Sequence, residues 1–164
     1  MNKTASYLLE VLGNQLSKKL VYKYTMADLI RSSGVKRGTI YYHFDDLNDV
    51  FDSYIETLLA KRLVMESMDE QVYELVDFIS TEKILCLNLY NLMKTKIRRT
   101  YFLNLLKKSF QQFELCNEEQ GSYLVGGFLF ILMDWLDNGL KEPKEVILVK
   151  LFNYIELVRV VGLA

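Results

Sequence analysis

The sequence predicts an all-α protein, and three observations carry that expectation. Of its 164 residues one is proline and eight are glycine, so few positions interrupt a helix. Apolar residues recur three and four apart along most of the chain. No stretch alternates apolar and polar residues between turn signals, as a half-buried strand would. Hydrophobic residues make up 51% of the chain, enough for a core and for an apolar surface shared with a second copy. The expected layout is an N-terminal three-helix domain over 1–46, a connecting helix over about 46–67, and a helical bundle over 68–164.

The first helix is expected over 4–20, where Tyr7, Leu8, Val11, Leu12 and Leu16 share a face. Residues 21–24 link it to the next, with Tyr24 placed to staple the helix start. Thr25 suits an N-cap, and Asp28, three positions on, either bonds back to it or favours the positive helix end. Met26, Leu29 and Ile30 form one apolar face. Gly34 follows Ser32 and Ser33 and supplies the positive φ of a sharp helix exit, and Val35 plugs the turn. In the short helix that follows, Ile40 and Phe44 are four apart and face inward. Lys36, Arg37, Thr39, Tyr41, Tyr42 and His43 share the remaining surface. Two short helices joined by a tight turn, the second carrying basic, hydroxyl, aromatic and imidazole groups outward, have the layout of a helix-turn-helix whose second helix enters the DNA major groove.

The segment resembles the DNA-binding domain of the TetR/AcrR family of bacterial regulators. The matching pieces are TMADLI at 25–30, SGV at 33–35 and, most specifically, GTIYYHF at 38–44. The resemblance implies that Thr25, Tyr41 and His43 hold phosphates, and that Lys36, Arg37, Gly38, Thr39 and Tyr42 lie at or near base edges. The chain departs from the family pattern twice. Lys36 stands where a serine or threonine often caps the recognition helix, and the acidic run at 45–49 stands where a lysine is usual. Acids near a phosphate backbone repel it.

Beyond residue 46, Leu47, Val50, Phe51, Tyr54, Ile55, Leu58 and Leu59 form a stripe that predicts a helix running to about residue 67. A short amphipathic helix is expected over 71–79. Another starts at Ser80 or Thr81 with Ile84, Leu85, Leu87, Leu89 and Leu92 apolar. Lys94, Lys96, Arg98 and Arg99 form a basic patch, read as a solvated helix end or loop, with a second DNA or anion contact as the alternative. Helices are then expected over 101–115 and 118–138. Pro143 opens the last one, and Gly139 suits the exit of the one before.

Gly126 and Gly127 inside an apolar run, then Trp135, Asn138, Gly139 and Pro143, resemble the end of many TetR-like regulators. There the last two helices commonly pack against their twins. That implies a homodimer interface containing Phe128, Ile131, Leu132, Trp135, Leu148, Phe152 and Ile155; the alternative is that these residues close the monomer's own core. Candidate walls for a small apolar or aromatic effector are Tyr73, Phe78, Leu89, Tyr90, Met93, Tyr101, Phe102 and Phe113, although aromatics at helical spacing are usually core.

The net charge of −1 argues against a nucleic-acid binder until its distribution is read. Residues 1–44 carry seven basic and two acidic groups, a balance of +5, and the remainder carries 13 basic and 19 acidic groups, a balance of −6. A basic head on an acidic body steers the head toward DNA. Cys86 and Cys116 show no metal-ligand spacing and are expected as free thiols. The N-terminus lacks the core of an export signal, and the apolar run at 123–133 is well short of the ~20 residues that span a bilayer, so a cytoplasmic chain with no membrane partner is expected. With one histidine, no nucleophile elbow, no phosphate loop and no metal cluster, neither an enzyme nor a cofactor is expected. The expected function is a homodimeric TetR-like repressor that binds a palindromic operator on double-stranded DNA and is released by a small molecule. The alternative is a helical interaction protein that kept the fold and lost operator binding, which the acidic run at 45–49 would favour.

Overall fold

The computed structural model describes residues 2–60, 62, 65–93 and 95–162, with side chains at all of these except 95–98 and 162. Every regular element among the described residues is helical: α1 (Lys3–Leu16), α2 (Met26–Ser33), α3 (Arg37–His43), α4 (Leu47–Ala60), α5 (Met68–Thr81), α6 (Lys83–Leu92), α7 (Thr95–Gln112), α8 (Gly121–Asp137) and α9 (Lys144–Gly162). No helix among them is long and apolar enough to cross a membrane. The chain divides into two compact units: Met1–Lys61 with Ile84–Met93, and Arg62–Lys83 with Lys94–Ala164. Both α4 and nearly all of α6 therefore belong with the N-terminal helices.

In the first unit α1 packs on α2, α3 and α4. Asn2 caps α1, its Oδ1 accepting from the Thr4 N–H at 2.8 Å. The core takes Leu8, Leu12 and Leu16 from α1, Leu29 from α2, Ile40 from α3, and Val50, Phe51 and Ile55 from α4. These are the positions that 3.6-residue periodicity selects. Helix α1 stops at Leu16, short of the expected residue 20. Ser17 closes it, its hydroxyl donating to the Gly13 carbonyl at 2.8 Å. The Tyr54 ring lies where a Cβ on Gly13 would stand, so the glycine admits α4 against α1.

Helix α4 starts on a reciprocal cap. The Asp46 carboxylate accepts from the Asp49 N–H at 3.0 Å, and the Asp49 carboxylate accepts from the Asp45 N–H at 2.9 Å. It ends at Ala60 rather than near residue 67. Residues 61, 63 and 64 lie outside the described residues. The next helix begins at Met68 rather than 71, because the Ser67 hydroxyl caps it by accepting from the Glu70 N–H at 3.2 Å.

In the second unit α8 packs on α7 and on α9, and α5 packs on α9. Phe110 of α7 meets Phe128 of α8 edge-on with ring centroids 5.4 Å apart. The Trp135 indole N–H donates to the Glu142 carbonyl at 3.0 Å, tying the end of α8 to the loop before α9. Tyr154 of α9 lies over Gly127, where a Cβ would collide with its ring, and its hydroxyl donates to the Leu124 carbonyl at 2.6 Å. Tyr154→Phe keeps the ring and leaves that carbonyl with one bond fewer. It should cost about 0.5–1.5 kcal/mol in urea unfolding. Trp135 is the chain's one tryptophan and sits in the same unit, so its fluorescence reports this transition directly.

Helix α7 runs from Thr95 to Gln112 rather than over 101–115, starting where a solvated helix end or loop was expected. Lys94 and the side chains of Lys96 and Arg98 lie outside the described residues, and Arg99 is exposed.

Candidate nucleic-acid interface

Helix α2, the turn 34–36 and α3 are set by local chemistry. Thr25 is extended, and its hydroxyl accepts from the Asp28 N–H at 3.2 Å. The Asp28 carboxylate returns the bond, accepting from the Thr25 N–H at 2.9 Å and from the Thr25 hydroxyl at 2.6 Å. Of the two roles open to Asp28 in the sequence, the structure has the bond back, a capping box. It also commits the Thr25 hydroxyl proton, so a phosphate at that hydroxyl would have to displace Asp28. Just upstream, half-buried Tyr24 has its hydroxyl pushed up to about 12, by burial first and then by the charge of Asp28.

The bonds from Thr25 hold the Asp28 carboxyl below its ordinary range, with Arg31 and Lys23 adding to the effect. A folded pKa below the unfolded one means that the charged cap stabilises α2 fully above the unfolded value of about 4. That contribution is lost as pH falls through the lower folded value. Protection of the first turn of α2 should therefore weaken in the wild type as pH drops below about 4, and the Asp28→Asn variant should lose less over the same drop. Amide exchange at residues 28 and 29 reads this out.

Gly34 takes φ +68° and donates its N–H to the Ile30 carbonyl at 3.0 Å, ending α2. Ser33 is buried; its hydroxyl accepts from the Val35 N–H at 3.2 Å, and its carbonyl accepts from the Tyr7 hydroxyl at 3.1 Å. Tyr7 thus ties α1 to the turn, a role its place on an apolar face did not reveal. Lys36 is the N-cap of α3 with no side-chain capping bond, as a lysine must be. Only Ile40 of α3 is buried, and Phe44 just after it anchors the exit at 5% exposure.

Everything else on α3 faces out. Lys36, Arg37, Gly38, Thr39, Tyr41 and Tyr42 are exposed, and His43 is half-buried. Tyr42 reaches 82% exposure. The Arg37 guanidinium lies 5.3 Å from the centroid of the Tyr41 ring, and Tyr42 meets His43 edge-on at 5.1 Å. These contacts pre-order side chains that would otherwise be free in solvent. Gly38 has no positive φ, and a Cβ built on it meets nothing within 4 Å. The acids at 45–49 are partly spoken for: Asp46 and Asp49 carry the α4 cap.

The residues expected to wall an effector site fall in two places. Leu89, Tyr90 and Met93 are buried and belong to the first unit, whereas Tyr73, Phe78, Tyr101, Phe102 and Phe113 belong to the second. Of these, Tyr73 is exposed, Phe78 lies under the Arg62 guanidinium at 3.9 Å, and Tyr101 meets Phe102 edge-on at 5.6 Å. The second unit holds a cavity of about 10 Å³ lined by Met68, Val72, Leu106, Ser109 and Phe128 among others, about the space one water needs. None of the eight residues lines it. The side chains expected at the dimer interface divide too. Phe128, Leu132, Trp135 and Ile155 are buried within their own chain, and Ile131, Leu148 and Phe152 are half-buried. What α8 and α9 leave outside is a different set: Tyr123 and Phe130 on α8, and Val146, Val149, Leu157 and Val160 on α9. No group of His, Cys, Asp and Glu side chains among the described residues could hold a metal ion. Neither cysteine is in a disulfide, and burial raises the Cys116 thiol above its ordinary value.

No family model matches the chain, and no curated protein matches it at the level that marks a relationship.

Proposed function

We propose that the chain is a homodimeric, TetR-like transcriptional regulator, a repressor that reads a palindromic operator through α3. The observation that carries this reading is the surface of α3. A seven-residue helix spends one side chain on its core and turns a lysine cap, an arginine, a glycine, a threonine and two tyrosines to solvent. Tyr41 and His43 there suit phosphates, and exposed Lys36, Arg37, Thr39 and Tyr42 with the open backbone at Gly38 suit base edges. Two such heads on one dimer read two half-sites.

The dimer is supported by the outer faces of α8 and α9. Val146, Val149, Leu157 and Val160 run along one stripe of α9, and Tyr123, Gly126 and Phe130 along one stripe of α8. Apolar side chains exposed along one stripe of each helix, with exposed Asn153 between Val149 and Leu157, support an interaction surface there. Gly126 sits inside α8 with ordinary φ and open space around its missing Cβ, although glycine in a helix costs roughly 0.5–1 kcal/mol relative to alanine. Nothing in its own chain requires it, and close approach of a second copy's helix would.

The reading of a helical protein without operator binding drew on the acids at 45–49, and two of these, Asp46 and Asp49, serve as helix caps. The test is binding of the full chain to random-sequence duplex across a salt series. Affinity should fall steeply with salt, the slope should shrink by about one in Lys36→Ala, and Tyr41→Phe should weaken binding at every sequence. No duplex binding at low salt would remove the proposal.

A further inference from the structure

The connection from α1 to the Thr25 cap of α2 contains no helix and presents Lys18, Lys19, Leu20, Tyr22 and Lys23 to solvent. Leu20 is 53% exposed, and Tyr22 touches almost nothing, at 101%. No acid stands between Glu10 and Asp28 in the sequence. None of Lys18, Lys19 and Lys23 is in an ion pair with a described residue. Lys23 does lie near the first turn of α2, where its charge helps to hold the Asp28 carboxyl down. The positive charge of the connection is therefore largely unbalanced by its own surroundings.

A segment of this kind would ordinarily be loose, and here it is held. Asn88 of α6 is 1% exposed, and both ends of its amide are used. Its Nδ2 donates to the Leu16 carbonyl at 2.7 Å and to the Lys19 carbonyl at 2.8 Å. Its Oδ1 accepts from the Val21 N–H at 2.9 Å. These bonds fix the backbone on both sides of Leu20, and the Thr25–Asp28 box fixes it just past Lys23. All of these residues belong to the first unit. A partner that meets the lysines and Tyr22 thus finds backbone already ordered, which lowers the cost of binding.

We infer that the 18–23 connection is a second DNA contact of the head. Lys18, Lys19 and Lys23 take phosphates that flank the stretch read by α3, and the Tyr22 hydroxyl donates to the same backbone. The inference rests on the function proposed above and adds a surface that shares no residue with α3. In a helix-turn-helix the first helix crosses the sugar–phosphate backbone while the second lies in the groove. The connection runs directly into the start of that first helix, α2. Lysine is a mobile point charge that suits phosphate and carries no sequence information. The patch therefore adds affinity and salt dependence and leaves sequence preference to α3. An anionic lipid surface fits it less well, because such surfaces take the whole apolar face of a helix, and this segment offers one leucine and one tyrosine on a chain without helix.

The test uses the full chain, an operator duplex selected by it, a random-sequence duplex, and the triple variant Lys18→Gln, Lys19→Gln, Lys23→Gln. All three positions are exposed, so the melting temperature should hold. The slope of log affinity against log salt should become shallower by about two to three on both duplexes. The ratio of operator to random affinity should stay that of the wild type. Tyr22→Ala should weaken binding to both duplexes about threefold or more, with the slope unchanged. When single phosphates are ethylated, those that weaken the wild type but not the triple variant should cluster at one flank of each half-site. A triple variant with the wild-type slope, a changed ratio, or an unchanged set of interfering phosphates overturns the inference. So does wild-type binding to vesicles of phosphatidylserine in phosphatidylcholine that is lost in the triple variant while its duplex slope holds; the connection would then serve a lipid surface. A wild type that binds neither duplex removes the function proposed above and this contact with it. A wild type that binds both, beside a triple variant that binds them alike, removes this contact alone.

Discussion

Gly38→Ala should make the protein more stable and a worse DNA binder. The position is helical, its φ is ordinary, and a Cβ there touches nothing. Alanine therefore gains about 0.5–1 kcal/mol of folding free energy from reduced backbone entropy alone. That amounts to a rise of about 2–4 °C in melting temperature per kcal/mol for a chain of this size. Against DNA the sign reverses. Tyr42 lies four residues on, on the same exposed face, so the missing side chain leaves a notch beside the most exposed aromatic of the helix. If a base edge or phosphate closes on that notch, a methyl group holds it off, and specific affinity should drop about tenfold or more, at least 1.4 kcal/mol. Gly38→Leu should abolish specific binding while the chain stays folded. Thermal melting and a binding isotherm on the same sample read both signs. A Gly38→Leu variant that binds as the wild type does would show that α3 presents another face to DNA, or none.

Phe130→Glu combined with Leu157→Glu should convert a dimer into a folded monomer. Both side chains are largely exposed in one chain, at 70% and 63%. Changing them costs the monomer about 0.5 kcal/mol or less each. Across a pair of apolar helix faces, however, the four new carboxylates of two copies would be buried together without partners. Sedimentation should report two chains for the wild type and one for the double variant. Loss of the linked second head should lower operator affinity by about 10²–10⁴. The contrast with Trp135→Ala is informative. Trp135 is buried at 2% exposure, so its truncation should cost about 3–5 kcal/mol of folding and say nothing about association. A double variant that still sediments as the wild type does would place any contact between copies elsewhere.

What was legible in the sequence was mostly local. The Thr25 cap, the exit at Gly34 and the inward pair Ile40 and Phe44 are each decided by residues within one or two turns, and the structure has them as read. The start of α5 was legible too: Ser67 three residues before Glu70, ahead of an apolar run, is a cap signature that pattern counting from residue 71 passed over. The end of α1 depends partly on what lies far along the chain. Lys18, Lys19 and Leu20 would continue a helix on propensity, but Asn88, some 70 residues away, takes the backbone out of it. No local signal announces that.

The faces of α8 and α9 failed to resolve for another reason. Both helices are apolar on more than one stripe, so periodicity shows that surface must be buried without showing which stripe meets the chain's own core. Phe128 and Trp135 point inward and Phe130 and Tyr123 outward, although all four are large aromatics. The expected effector walls suffered similarly. Helical spacing put Leu89 and Tyr101 on apolar faces, but the chain folds α6 and α7 into different units.

The central claim is that α3, paired with its twin, reads DNA. Selection of bound sites from random duplexes by the full chain at low salt tests it most directly. Two inverted copies of one short half-site at fixed spacing should be enriched, and that enrichment should be lost in Gly38→Leu. A folded wild-type chain that enriches no sequence, or a single uninverted site, would contradict it.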